Sequence, residues 1–457
     1  MTDILKTISD KYCPRFGQTA VELGFITEAQ LKESLYCQVD ENLTNQVSVM
    51  LMKLGRRGYE MRKILLASLA AGLLWSAPAR ADAKFEAFIQ GLWPQVKAAG
   101  IPRELFDRGF AGVTEPDQAV LKLAKTQPEF TSTTSEYLAK AVTAIRIETG
   151  QTMKIENAKL MAAIENKYGV DQHVVLGIWG MESNFGKDKG SMGVLRSLAT
   201  LMYAGRKRDY ARGQLVAAFK ILQKGIRSPD NFTGSWAAAM GHTQFIPTSY
   251  ISYAVDWTGD GKRDIWGSKE DALASTANYL AKAGWKRDRP WGWEVKLPKG
   301  FDRGLIGRGH WKPVSQWVKM GVKPALGDAF NAPQAEAFVM IPQGIEGPVF
   351  LVTKNFLAIM DYNFSHSYAI AVGHLGDRIR GAGGIQAAWP DVNFDLTFAQ
   401  RVEIQKRLSA RGFETGGADG RFGARTYEAV IGFQRKAGLP LDGKPSLKLL
   451  ERLRAAG

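Results

Sequence analysis

At 457 residues, with 45% apolar and 23% charged side chains, the chain has the composition of a soluble globular protein of roughly two to four domains; a fibrous, wholly disordered or membrane-embedded class is excluded. Its formal net charge of +15 favours polyanionic partners: nucleic acid, anionic lipid or an acidic cell-wall polymer. No block of five or more basic residues and no helix-turn-helix, zinc-finger or RNP-type pattern occurs, so nucleic acid is not expected among them.

In chain order, the stretch FGQTAVELGFITEAQLKESLYCQ (16–38) reads as a helical piece, with Thr27 as N-cap before Glu28 to Cys37. Residues 61–81 then follow the order of an export signal. Arg62 and Lys63 precede an apolar run, Ile64 to Trp75, too short to span a bilayer comfortably, and Ala79-Arg80-Ala81 gives a small-x-small cleavage site. Cleavage after Ala81 makes Asp82 the mature N-terminus. No cysteine follows to carry a lipid, so a periplasmic product without a transmembrane segment is expected. Residues 1–60 are then either an extension ahead of a true start at Met61 or a small fused module. Both cysteines, Cys13 and Cys37, fall in them, which is compatible with an oxidising compartment for the rest.

From Asp82 to about Ala283 apolar residues recur at three- and four-residue spacing, as in FEAFIQGLWPQVKAAG and QLVAAFKILQKG, and predict helices punctuated by glycine and proline. Between about Trp285 and Thr353 the short runs WEVKLP, AEAFVMIP and PVFLVT predict a small inserted sheet. Helix resumes at SHSYAIAVGHLGDRIRG. A linker around 383–394 leads to a basic tail large enough to fold alone. The fold class is therefore mainly α, in two parts, 82–390 and 391–457.

Asp171 can N-cap a helix beginning QHVVLGIWGMES, on which Val174, Ile178, Met181 and Glu182 share one face. The carboxylate thus points where apolar side chains point. Desolvation there disfavours its charged form and is expected to raise its pKa towards the range of a general acid working near neutrality. Gly180 and Gly186 bracket it with backbone that a ligand can approach. An isolated Glu on a mixed helix face is ordinarily solvated or ion-paired; the company it keeps decides otherwise.

That company is GIWGMESNFG (177–186), GHTQFIPTSYISYAVDWTGDGKRDIW (241–266), DALASTANYLAKAGW (271–285) and YNFSHSYAIAVGHLGDRI (362–379). Together, over nearly all of 83–392, they resemble the membrane-bound lytic murein transglycosylase B family. The resemblance implies a lysozyme-like helical catalytic domain that acts on peptidoglycan glycan strands. Its single glutamate, here Glu182, protonates the oxygen between N-acetylmuramic acid and N-acetylglucosamine. It then takes the proton of the muramic C6 hydroxyl, which closes a 1,6-anhydro ring. Ordinary glycosidases need two carboxylates, but an attached nucleophile at high effective concentration removes the need for the second. No cofactor is required, and a monomer is expected.

The resemblance assigns substrate contacts to Ser183, Gln244, Tyr362 and Asn363. Ser183 would orient the acid, or merely end the helix. The amide of Asn363 would steady charge at the reacting ring, or belong to an ordinary loop. Arg206 and Lys207 would meet the acidic stem peptide, or form a solvated charge run. Eleven of the twelve tryptophans lie between 82 and 392, suited to stacking on sugars although most will be core.

DWTGDGKRDIWGSKED places Asp256, Thr258, Asp260 and Asp264 at positions 1, 3, 5 and 9 of an EF-hand-like loop, with Gly261 at the turning position and Gly267 where a closing Glu belongs. Asp271 is the nearest closing carboxylate. Two readings stand: a structural calcium site, or an Asp/Gly turn held by its own hydrogen bonds. The tail, with DGRFG and PLDG turns between amphipathic helices, is similar to the peptidoglycan-binding-domain-1 family, a small three-helix fold that implies wall attachment. The reading is an exported lytic transglycosylase. A hydrolytic muramidase on the same scaffold and a non-catalytic wall-binding protein are the alternatives.

Overall fold

The computed structural model describes residues 83–126, 132–205, 208–391 and 395–455, all within one compact unit, Ala81–Gly457. The expected helical piece at 16–38, the export signal at 61–81, and Arg206 and Lys207 lie outside the described residues. No helix among the described residues is long and apolar enough to cross a membrane.

The molecule is mainly helical, with a small five-stranded antiparallel sheet inserted before the last helices. Two apolar cores build the helical body. One gathers the helices between Ala83 and Thr126 around Val194–Tyr203 and Arg208–Gln223. The other surrounds Gln172–Ser183, where Val174, Val175, Leu176, Ile178 and Trp179 are buried. Tyr279 and Tyr362 pack against both and mark the seam.

The Gln172–Ser183 helix begins as its sequence predicts: the Asp171 carboxylate accepts the His173 N–H at 2.9 Å. Glycines set its packing. A Cβ at Gly177 would fall 2.6 Å from the Val372 carbonyl oxygen, and one at Gly376 would fall 2.8 Å from that of His173. Only glycine lets this helix and His366–Arg380 approach so closely. The partner helix is capped by Ser365, whose hydroxyl accepts the Tyr368 N–H, and ends at Gly381 with φ 110°.

In the sheet the strands run in the order Lys312–Pro313, Glu336–Met340, Val349–Thr353, Gly292–Lys296, Lys323–Pro324. The central pair is buried on both faces, and alternate side chains divide between two cores. Phe338, Met340, Phe350 and Val352 join the helical body. Ala337, Val339, Val349 and Leu351 join a third core, shared with Ile404, Leu408, Val430, Phe433 and Leu450 of the tail. The tail has its three helices, Phe398–Ala410, Ala424–Lys436 and Leu447–Ala455. It shares the core on the outer face of the sheet with Ile306, Val314 and Trp317. Lys444 and Glu346 pair across that join at 2.7 Å, and Arg303 donates to the Leu441 carbonyl.

Candidate active site

Glu182 sits in the last turn of Gln172–Ser183, where the chain leaves the helix through three successive left-handed residues: Asn184 (φ 49°), Phe185 (φ 59°) and Gly186 (φ 84°). Two residues without the freedom of glycine in that region mark a strained exit, held by its surroundings. The glycines do not clear space for a ligand, as the sequence suggested. A Cβ at Gly180 would meet the Phe185 ring at 2.7 Å, and one at Gly186 would meet the His242 ring at 2.3 Å. They let those rings close on the helix end.

Ser183 is 1% exposed. Its hydroxyl donates to the His242 carbonyl and accepts the Gly186 N–H at 2.8 Å. It locks the exit loop, with its hydroxyl engaged by backbone groups on both sides.

Over Glu182 stand tyrosines. Tyr368, 3% exposed, donates its hydroxyl to Glu182 Oε1 at 2.5 Å. Burial, followed by the Glu182 charge, pushes both Tyr368 and Tyr362 well above the ordinary tyrosine range, so each hydroxyl keeps its proton as a donor. Tyr362, from the end of Lys354–Tyr362, donates to the Thr243 carbonyl at 2.6 Å and packs against Tyr279 with ring centroids 4.9 Å apart. Asn363 follows it and is exposed. Gln244, with φ 54°, donates its amide to the Lys189 and Gly241 carbonyls at 3.1 and 2.9 Å, leaving its oxygen as the group to offer a ligand.

The structure therefore gathers Glu182, Tyr362 and the 241–245 turn at one seam, with Asn363 at its exposed edge. Tyr368 was missed. One tyrosine on an otherwise apolar helix face reads as core, and only its place at the N3 position after Ser365 hinted at a fixed orientation.

The acidic loop divides the predicted ligands. Oxygens of Asp256, Asp260 and Asp271 lie within 4.8 Å of one another. That is the span two ligands have on one ion at calcium–oxygen distances of about 2.3–2.6 Å. The residues fit a hard cation. Asp271, 1% exposed, also accepts the N–H groups of Trp257, Thr258 and Asp264. Burial raises its pKa, with those bonds opposing. At Asp256 burial pushes the same way, but the Gly259 and Gly261 amides hold the carboxylate below its usual value. Thr258 donates its hydroxyl to Asp256. Asp264 stands apart from this trio: its Oδ1 pairs with Arg227 at 3.2 Å and accepts the Trp266 and Gly267 N–H groups.

Comparison with known proteins follows the same division. The family described as Transglycosylase SLT domain matches residues 84–377, and that described as Putative peptidoglycan binding domain matches 399–453. Membrane-bound lytic murein transglycosylase B of Escherichia coli is 30% identical over 249 residues, covering 53% of this chain and 66% of that protein. SltB3 of Pseudomonas aeruginosa, solved in complex with NAG-anhNAM-pentapeptide, is 46% identical with a TM-score of 0.73, covering 81% of this chain and 99% of that one. The Escherichia coli lytic transglycosylase Slt35, solved in complex with calcium, is 27% identical with a TM-score of 0.53, over 65% of this chain and 93% of that one.

Proposed function

The chain belongs to the Transglycosylase SLT domain family of peptidoglycan lytic transglycosylases, and on that premise we propose that Glu182 is its acid and then its base, working on murein in the periplasm after export through residues 61–81. The observation that carries the assignment is the Tyr368–Glu182 hydrogen bond at the seam of the two cores.

Protonated Glu182 gives its proton to the bridging oxygen as the muramic C1–O bond breaks and the N-acetylglucosamine end departs with a hydroxyl. The resulting carboxylate faces positive charge developing at C1. It then accepts the C6 hydroxyl proton while O6 bonds to C1, which restores the acid and consumes no water. Tyr368 donates to Oε1 and so fixes the orientation in which the carboxyl meets the glycan. The hydroxyl also supports the ionised form between the two transfers. Asn363 and the Gln244 oxygen bind the sugar in this reading, and Arg206 and Lys207 meet the stem peptide. Asp256, Asp260 and Asp271 would hold calcium, which when bound would offset most of the charge of the three carboxylates and stiffen their loop. A relative solved with an anhydro-sugar muropeptide supports the lytic product.

Glu182→Gln is expected to slow digestion of sacculi by about 10²- to 10⁴-fold, the worth of a general acid. Mass spectrometry of the wild-type digest should show 1,6-anhydro ends. Reducing muramic ends would make the protein a hydrolase instead, and an undiminished Glu182→Gln rate would remove the residue from the mechanism.

A further inference from the structure

His242 carries no role in the mechanism above, yet it connects the elements that hold the Glu182 turn. Its backbone N–H donates to the Ile265 carbonyl at 2.9 Å, tying it to the acidic loop. Its carbonyl receives the Ser183 hydroxyl. Its ring accepts the Trp179 indole N–H at Nδ1, 3.2 Å away, and lies where a Gly186 side chain would be. Trp179 precedes Glu182 by three residues and Gly186 follows it by four, so one imidazole is wedged between the two ends of the turn that bears the carboxylate.

The indole N–H can only donate, so Nδ1 carries no proton and the ring is the neutral Nε2–H form. The surroundings agree. Burial, aided by the Lys189 and Lys269 charges and opposed by Asp264 and Glu270, brings His242 down to about 4.

We propose that the His242 imidazole is a positioning residue for the acid–base carboxylate, fixing the Glu182 turn through Trp179 and Gly186. This rests on Glu182 being the reacting group. A misplacement near 1 Å can cost a catalytic group about a hundredfold in rate while leaving substrate binding alone, so the signature lies in kcat rather than KM.

The test compares His242→Phe, which fills the space without an acceptor, with His242→Asn, whose Oδ1 can stand where Nδ1 stands. Activity is measured on purified glycan strands, with melting temperature recorded for each. His242→Phe should lower kcat by roughly tenfold to a hundredfold with KM little changed. His242→Asn should recover most of the loss, and Trp179→Phe added to His242→Phe should cost little more, because both delete one bond. Lowering the pH towards 4 should erode the advantage of wild type over His242→Asn, since a charged ring would oppose its N–H to that of Trp179. Equal losses in Phe and Asn variants, a change in KM alone, or a kcat that only tracks melting temperature would each overturn the proposal. Failure of the acid–base reading appears separately, as an active Glu182→Gln enzyme.

Discussion

At the residue scale the candidate site is the Glu182 carboxylate and the groups that touch it. Tyr368→Phe removes one hydrogen bond to a charged group, worth about 1.5–3 kcal/mol. The expected result is a kcat lowered by roughly tenfold to a hundredfold on glycan strands, with little change in KM. Glu182 itself was legible, because a lone acid closing an apolar, glycine-rich helix invites the question of its purpose. Its supports were less so. Of the two readings the sequence leaves for Ser183, orienting the acid or ending the helix, the second matches its bonds, because a helix turns adjacent side chains about 100° apart and Ser183 points into the exit loop. Tyr368 stands 186 positions away and is joined only by the fold.

At the scale of elements, glycines do the unseen work. Gly177→Ala would drive a methyl group against the Val372 carbonyl oxygen, and overpacking of this kind costs about 1–3 kcal/mol. Thermal unfolding should show the loss, and activity should fall with it as the crossing of the two helices opens. The acidic loop makes a second prediction. Calcium should raise the melting temperature of wild type and a chelator should reverse the gain, whereas Asp256→Asn should abolish both responses. Asp271→Ala should destabilise the protein even without calcium, since three backbone N–H groups lose their acceptor. The aspartate spacing revealed the loop. It did not reveal that Asp264 would be drawn to Arg227, a residue 37 positions earlier.

At the scale of the whole molecule, the parts are layered: helical body, sheet, tail. The wholly apolar runs AFVM and VFLV carry the signature of strands covered on both sides, but nothing local said that the second cover would come from the C-terminal helices. The join holds one carboxyl that should make it sensitive to pH. Burial, against the opposing Arg308 N–H and the Arg425 and Arg308 charges, brings Glu428 up to about 7. A carboxyl raised in the folded state adds stability below its unfolded pKa and loses it as pH rises through the folded value. Glu428→Gln should therefore gain on wild type between pH 5 and pH 8, by up to about 3 kcal/mol in urea unfolding.

The two-sided sheet also limits what the chain can exchange. In sequence the wall-binding segment looks like a cassette, ready to be cut off or traded for another. Yet Val339, Val349 and Leu351 share one core with Ile404, Val430 and Leu450, and a foreign module joined near residue 391 would meet an apolar surface it was not shaped to match. Shortened versions should clump unless that surface is first repainted with polar side chains, and the two halves must change together.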